Sequence, residues 1–97
     1  MYLVISHWEV VPGREAEFER DGKKVRDVLR SQPGATMITH FKSNEKFVVV
    51  HGYEDEAAYN RIVNDPNGPF VKALAETNLE SSARWLGSEK GSTDPYE

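Results

Sequence analysis

The fold of this chain is decided by one stretch, FVVVHGYEDEAAY at residues 47–59, in which a strand pattern changes directly into a helix pattern. Its first seven residues are mostly β-branched or aromatic and favour an extended strand. Asp55 is a good N-cap, because its carboxylate can accept a hydrogen bond from a free backbone N–H of the first helical turn. We therefore predict a strand over residues 46–53 and a helix over residues 56–63.

The residues before this stretch predict a strand, a helix and a second strand. Residues 2–11 alternate between two largely apolar sets, which is typical of a strand covered on both faces. A helix over residues 14–31 follows, and residues 35–42 then form a strand that a polar turn joins to the next strand as a hairpin. The apolar stripe of the helix consists of Phe18, Gly22, Val25 and Leu29. The basic residues of the helix are expected on a solvated face, and they are Lys23, Lys24, Arg26 and Arg30. We attribute Gly22 to a close approach of this helix to a sheet, against the alternative that the fold merely tolerates it.

The residues after this stretch predict a bent helical segment, a strand and a tail. Residues 65–68 interrupt the second helix, and Pro69 restarts a helical turn. Residues 79–86 alternate weakly and predict a fourth strand. Residues 88–97 are polar, so we expect them to form a flexible tail after a single domain over residues 1–87.

The order strand, helix, strand, strand, helix, strand predicts a ferredoxin-like α+β fold. In this fold an antiparallel four-stranded sheet has the strand order four, one, three, two, and both helices cover one face. The opposite face is expected to carry Leu3, Ile5, His7, Glu9, Ile38, His40, Phe47, Val49, His51 and Tyr53. Because such a patch is too apolar to face water, we expect a second copy of the chain to cover it, giving a homodimer.

Composition excludes several classes of function. The 97 residues carry a net charge of −4, so a nucleic-acid partner is not expected. The chain has no cysteine, which rules out a disulfide framework, a thiolate nucleophile and a sulfur-based metal site. The apolar runs are too short to span a membrane and the first residues lack the pattern of a signal peptide, so we expect a cytoplasmic protein. The sequence also lacks nucleotide- and flavin-binding motifs.

Four segments of the sequence resemble the antibiotic biosynthesis monooxygenase family of dimeric α+β barrels. These segments are VVPGREAEF at residues 10–18, QPG at residues 32–34, the stretch at residues 47–59, and PFVKAL at residues 69–74. The resemblance extends over about residues 2–86. It implies a homodimer whose best-known relatives oxygenate polycyclic aromatic or quinol-type small molecules without metal or flavin, so no cofactor is expected.

A branch of this family degrades haem, and the resemblance argues against that activity here. The branch relies on an Asn, a Trp and a His, and the corresponding positions fall at His7, at or near Arg61, and near Leu74. None of the three residues matches.

The candidate catalytic residues are His7, His40 and His51, because imidazole exchanges protons near neutral pH. A two-residue turn at residues 44–45 would place His40 and His51 diagonally on one sheet face, and His7 on the neighbouring strand can share that face. A one-residue shift of the turn would move His40 to the other face. Three interpretations stay open: separately bonded histidines at a dimer interface, a proton-transfer and substrate-binding cluster, or a metal site completed by Glu9. No tight ligand spacing supports a metal, and none is assigned.

The function implied by the resemblance is cofactor-independent oxygenation of a small aromatic or quinol-type metabolite. The expected substrate-binding residues are Glu9, Tyr53, Tyr59, Arg61 and Phe70. The aromatic rings would form the pocket wall, and Arg61 or Asn60 would hold a substrate oxygen. A base would remove a proton so that the resulting carbanion can pass an electron to dioxygen. Two alternatives stay open: a non-enzymatic small-molecule-binding or stress-related dimer, and an isomerase of a small carbonyl metabolite that uses the same base without oxygen.

Overall fold

The computed structural model describes residues 1–96 and has the predicted ferredoxin-like α+β architecture. Its elements are β1 (Tyr2–Val10), α1 (Glu15–Arg30), β2 (Ala35–Ser43), β3 (Lys46–Tyr53), α2 (Glu56–Tyr59), α3 (Pro69–Ala75), α4 (Leu79–Ser82) and β4 (Ala83–Ser92). A π-helical turn at Asn60–Asn64 extends α2. The strands pair antiparallel in the order β2-β3-β1-β4, which confirms the predicted strand order. No helix within residues 1–96 combines the length and apolar character that crossing a bilayer requires.

The two faces of the sheet have different surroundings. The face that packs against the helices, called the inner face, carries Tyr2, Val4, Ser6, Trp8, Ile38, His40, Phe47, Val49, His51, Tyr53, Trp85, Ser88 and Lys90. The face that points away from the helices, called the outer face, carries Leu3, Ile5, His7, Glu9, Thr39, Phe41, Val48, Val50, Leu86 and Glu89.

The face assignment predicted from the sequence is right for β1 and wrong for β2 and β3. The six residues that were expected on the uncovered face but lie on the inner face are Ile38, His40, Phe47, Val49, His51 and Tyr53. The register of β1 against β3 places Tyr2 opposite Tyr53 and His7 opposite Val48. No turn joins these two strands, so no local signal sets their register, and a shift of one residue reverses every side chain.

The hairpin between β2 and β3 has the predicted two-residue turn. Ser43 pairs with Lys46 and His40 pairs with Val49, and Asn44 adopts the positive φ of 58° that such turns require. The prediction that His40 and His51 share one sheet face is therefore confirmed.

Three of the helices, α1, α2 and α3, form where their sequence patterns predict helical segments. The apolar stripe of α1 is buried against the sheet and the other helices, and it consists of Phe18, Gly22, Val25 and Leu29. Asp55 caps α2, because its Oδ1 accepts a hydrogen bond of 2.8 Å from the backbone N–H of Ala58. The explanation predicted for Gly22 is wrong: the atoms nearest to a Cβ built at this position belong to Arg26 and Leu79, and none belongs to the sheet.

The fourth strand lies later in the chain than predicted. Residues 79–82 form the short helix α4, and β4 begins at Ala83 and continues to Ser92. Residues 88–92, which were expected in a flexible tail, pair with β1. Because β4 is an edge strand, it can carry many polar residues, and its composition therefore concealed it.

Candidate functional site

A cavity of about 620 Å³ lies between the inner face and the helices. This volume is within the range of about 300 to 1,000 Å³ that is typical of small-molecule sites. Its apolar walls include Phe18, Val25 and Leu29 of α1, and Val63, Phe70 and Leu74 of the helical segments after β3. Its polar groups on the sheet are Ser6, His51, Ser88 and Lys90. The cavity thus combines apolar walls with a few polar groups, as ligand sites commonly do.

His51 is the buried titratable group of this cavity. It is 7% exposed, and each of its ring nitrogens has a partner. Nδ1 lies 2.6 Å from the Tyr53 hydroxyl, and Nε2 lies 3.3 Å from Ser6 Oγ. Burial lowers the pKa of His51 to about 4, because the charged imidazolium loses its hydration there. His51 is therefore a neutral imidazole near pH 7.

The hydrogen bonds of His51 continue across the sheet. Ser6 lies opposite Ser88 in the pairing of β1 with β4, and their hydroxyl oxygens are 2.9 Å apart. The indole N–H of Trp85 donates to Ser88 Oγ over 3.0 Å. A chain of polar groups from β3 through β1 to β4 therefore lies beneath the cavity.

The tautomer of His51 is coupled to the hydroxyl of Tyr53. Burial, with a further contribution from Tyr59, raises the pKa of Tyr53, so its side chain stays a neutral phenol. A phenol can donate to Nδ1, in which case Nε2 carries the imidazole proton. If Nδ1–H instead donates to the phenol oxygen, Nε2 is free to accept a proton. Tyr53 can thus select between a donor and an acceptor at Nε2.

The other two histidines lie outside this cavity. His40 is exposed on the inner face, where its ring stacks on Phe47 with centroids 6.2 Å apart. Partial burial, followed by the charge of Arg26, lowers the pKa of His40. His7 points to the outer face, and its Nε2 lies 3.0 Å from Glu89 Oε1. The expectation that all three imidazoles share one face is wrong, because His7 lies opposite Val48 rather than beside His51.

The arrangement suggested for a metal site is also absent from the described residues. Glu9 is on the outer face, where its carboxylate accepts a hydrogen bond of 2.6 Å from Arg84. Within residues 1–96, no group of three or more His, Cys, Asp or Glu side chains is arranged to hold a metal ion. The set of imidazoles plus Glu9 is therefore split between two faces of the sheet.

The predicted substrate-binding residues are only partly brought together. Tyr59 and Phe70 line the cavity, and Tyr53 lies behind His51 as its hydrogen-bond partner. Glu9 is on the opposite face of the sheet. Arg61 is exposed, and its guanidinium donates to the backbone carbonyl of Pro33 over 2.7 Å. Arg61 thus supports the turn after α1 and does not line the cavity.

Sequence reasoning missed several polar groups of the site. Ser6 could have been found, because it is the polar member of an otherwise apolar alternating set in β1. Ser88 and Lys90 had no such signal, since their positions depend on the late start of β4. Arg26 was expected on a solvated face, yet it is half-buried and lines the cavity.

The sequence and the fold are similar to those of known proteins. Residues 1–67 match the family model described as antibiotic biosynthesis monooxygenase. None of the curated proteins matches the chain in sequence.

Several solved structures share the fold at low sequence identity. One is SnoaB, described as a cofactor-independent oxygenase from Streptomyces nogalater, with 18% identity, a TM-score of 0.74 and coverage of 94% of this chain and 91% of that chain. Another is described as an antibiotic biosynthesis monooxygenase, with 16% identity, a TM-score of 0.76 and coverage of 98% and 100%. A third is MupZ from Pseudomonas fluorescens, with 14% identity, a TM-score of 0.70 and coverage of 92% and 69%.

The similarities to solved structures show the fold alone, because the sequence identities are low. The family model matches more than half of the chain in sequence, and this match shows the family. This chain belongs to the antibiotic biosynthesis monooxygenase family.

Proposed function

We propose that this protein oxygenates a small aromatic or quinol-type metabolite without a cofactor, in the cavity above His51. The observation that carries this proposal is a buried, neutral imidazole at the base of a cavity of about 620 Å³ with largely apolar walls. Flat rings fit such walls, and a neutral imidazole can accept a proton from a bound substrate. SnoaB, which shares the fold, is described as a cofactor-independent oxygenase, and this description supports the same reaction class.

The proposed reaction balances without an external reductant. For a ring CH2 group such as that of an anthrone, His51 Nε2 removes one hydrogen as a proton and leaves a carbanion. The carbanion passes one electron to dioxygen, and the resulting radical pair combines to form a C–O bond. The peroxide takes up the proton and then eliminates water as the second hydrogen leaves the carbon. One oxygen atom stays as a ketone, and the other leaves as water with both hydrogens.

His51 can act as this base only in one tautomer. Nε2 must be free, so Nδ1–H donates to the Tyr53 oxygen over 2.6 Å. Burial weakens His51 as a base, since it disfavours the imidazolium. A carbanion formed beside the ring offsets this effect, because an opposite charge at short range favours the protonated form. The hydroxyls of Ser6 and Ser88 can meanwhile hold a substrate oxygen.

Oxygen consumption with anthrone and quinol substrates tests this proposal. We expect one dioxygen consumed per substrate and one labelled oxygen atom in the product when ¹⁸O2 is supplied. We expect His51→Gln to abolish most of this turnover, while His7→Gln, on the outer face, retains it. Unchanged oxygen consumption in the His51→Gln variant would sink the assignment of the base.

A second candidate function is binding of the same class of ligand without turnover. It is favoured by the complete hydrogen bonding of His51, whose two nitrogens already have Tyr53 and Ser6 as partners. In this case an aromatic ligand raises the melting temperature but no oxygen is consumed. Isomerisation of a small carbonyl compound uses the same base, and it would proceed equally well without oxygen.

We further propose that the protein is a homodimer that packs through its outer face. This face carries the partly exposed Leu3, Ile5 and Val50, and Phe41, which is 52% exposed. Burying this surface against a second copy would remove apolar area from water and give the dimeric barrel that the family resemblance implies. The absence of cysteine agrees with the cytoplasmic location that we propose.

A further inference from the structure

We propose that the ligand of the cavity is an aromatic carboxylate and that the guanidinium of Arg26 binds its carboxylate. This inference rests on the proposed function and narrows the class of ligand that the cavity accepts. Three observations carry it: where Arg26 lies, what it does not contact, and the balance of charge around the cavity.

Arg26 lies in a space that Gly22 leaves open. Arg26 follows Gly22 by four residues on α1, so the two occupy the same side of the helix. A Cβ at Gly22 would lie 2.9 Å from Arg26 Nη1 and 3.8 Å from Arg26 Cζ, which is too close for the guanidinium to stay. Both residues line the cavity. Glycine at position 22 therefore allows the guanidinium to lie along the helix at the cavity wall.

Within residues 1–96, Arg26 is the one arginine whose guanidinium has neither a carboxylate nor a carbonyl partner. The partners of the other five are Glu17 for Arg14, Asp21 for Arg20, Asp27 for Arg30, Glu9 for Arg84, and the Pro33 carbonyl for Arg61. Arg26 is also half-buried, and burial lowers its pKa; the charge of Arg30 adds to this effect, and the charges of Asp27 and Glu19 oppose it. A partly dehydrated cation without a partner is unfavourable, and a bound anion would offset that cost.

The charges that line the cavity are predominantly positive, although the chain is acidic. The lining contains two cations, Arg26 and Lys90, and one carboxylate, Glu80, whereas the whole chain has a net charge of −4. Lys90 Nζ lies 5.4 Å from the centre of the Tyr59 ring and has no ion pair within residues 1–96. Glu80 is exposed on α4 and makes no ion pair with Arg26. Among charged ligands, this cavity therefore favours an anion.

The positions of the charged and reactive groups also indicate how the ligand lies. Arg26 is on α1, whereas His51 and the two serine hydroxyls are on the sheet that α1 covers. A ligand whose carboxylate meets Arg26 would lie with its rings between the apolar walls and its reactive carbon over His51. A planar guanidinium suits this task, because it can form two parallel hydrogen bonds to one carboxylate.

The experiment compares a charged and a neutral derivative of one ring system, the anion anthraquinone-2-carboxylate and the neutral anthraquinone-2-carboxamide. Dissociation constants are measured at low ionic strength and again in 0.5 M salt. We expect the wild-type protein to bind the carboxylate about tenfold more tightly than the amide, and we expect salt to reduce this preference. Arg26→Gln should remove the preference, because it weakens binding of the carboxylate about tenfold more than binding of the amide. Lys24→Gln is the matched control, because it removes an equal charge from the solvated side of the same helix.

Gly22→Ala provides an independent test of the position of Arg26. Alanine is better than glycine in a helix, and the group it displaces is the end of a flexible side chain, so the variant should fold with an unchanged or higher melting temperature. We expect it to lose about as much carboxylate preference as Arg26→Gln. Equal wild-type affinity for both compounds, or equal loss of both in Arg26→Gln, would overturn the inference while leaving the aromatic site intact. If neither compound binds, the proposed function itself fails, and this inference fails with it.

Discussion

The two faces of the sheet each carry a histidine near the middle of a central strand, and the two histidines have very different surroundings. On the inner face, His51 is 7% exposed and has the Tyr53 and Ser6 hydroxyls as partners. On the outer face, the side chain of His7 is 35% exposed and lies beside the exposed Glu89. The residue type is the same, yet only His51 has a desolvated ring and faces a cavity. Position relative to the helices, more than chemical identity, makes a histidine of this chain a candidate base.

The same comparison separates the two expected roles of the sheet. The helices hold the inner face around a cavity that contains hydroxyl, indole and imidazole groups. The outer face has apolar side chains such as Ile5 and Val50, and none of the helices within residues 1–96 covers it. We therefore expect substitutions on the inner face to change catalysis and substitutions on the outer face to change assembly.

The largest expected effect comes from exchanging the two histidines for glutamine, one at a time. His51→Gln should lower kcat for oxygen consumption at least about 100-fold, because general-base catalysis commonly contributes factors of about 10² to 10⁴. His7→Gln should change kcat less than about twofold, since the ring does not contact the cavity. Stopped-flow or electrode measurements of oxygen consumption compare the two variants. A large loss in His7→Gln with little loss in His51→Gln would reverse the roles of the two faces.

A charge on the outer face should dissociate the proposed dimer. Ile5→Glu would bury a carboxylate without a partner at the interface, so we expect the dimer dissociation constant to rise at least about 100-fold. Sedimentation velocity measures the fraction of monomer. Asn67→Glu is the matched control, because it adds the same charge on an exposed turn between α2 and α3. A monomeric wild-type protein, or a dimer that tolerates Ile5→Glu, would contradict packing through the outer face.

Stability should depend on pH through the burial of His51. An unfolded histidine binds a proton near its ordinary pKa of 6.5, whereas folded His51 does so only near its pKa of about 4. His51 therefore does not reduce the free energy of unfolding above pH 6.5. As the pH is lowered toward 4, the free energy of unfolding falls by up to about 3 kcal/mol, because the unfolded chain binds a proton that the folded chain does not. Urea unfolding at pH 7.5 and pH 4.5 measures this loss in the wild-type protein and in His51→Gln. An equal loss in both proteins would show that His51 does not cause it.

The hydroxyl of Tyr53 should make a smaller contribution. Tyr53→Phe removes the 2.6 Å hydrogen bond to His51 Nδ1, so we expect the free energy of unfolding to fall by about 1 kcal/mol. Turnover should also fall, because the imidazole loses the partner that sets its tautomer. Tyr59→Phe is the control, since it removes the same hydroxyl from a neighbouring ring that forms no hydrogen bond with His51. Equal effects of the two substitutions would contradict a specific role for Tyr53.

Local sequence patterns predicted much of the fold, and the errors arose where the structure depends on pairing between strands that are distant in sequence. The spacing of Phe18, Gly22, Val25 and Leu29 was sufficient for α1, and the turn after Ser43 was sufficient for the register of the hairpin. The pairing of β1 with β3 has no turn to set it, so His7 was expected on the same face as His51. The edge strand β4 was predicted too early, because its polar residues resemble a tail.

The candidate site was predicted in part for the same reasons. Tyr59 and Phe70 were expected on the inward side of their helical segments, and both line the cavity. His51 also lines it, although the sequence had placed His51 on the uncovered face of the sheet. Arg61 was expected to bind substrate, but its orientation depends on the turn that it supports. Arg26 was expected to face solvent, because a charged residue beside an apolar stripe usually does. The only sequence signal that sets Arg26 apart from the other basic residues of α1 is Gly22, four residues before it.

The most direct test of the central claim is an NMR measurement of the imidazole nitrogens, since the chain has only three histidines. Two-bond ¹H–¹⁵N spectra at pH 7 are recorded before and after addition of anthraquinone-2-carboxylate. We predict that His51 gives the signals of a neutral imidazole in one tautomer, that these signals shift when the ligand binds, and that those of His7 do not. A bound ligand that shifts the signals of His7 and leaves those of His51 unchanged would contradict the assignment of the inner face as the functional site.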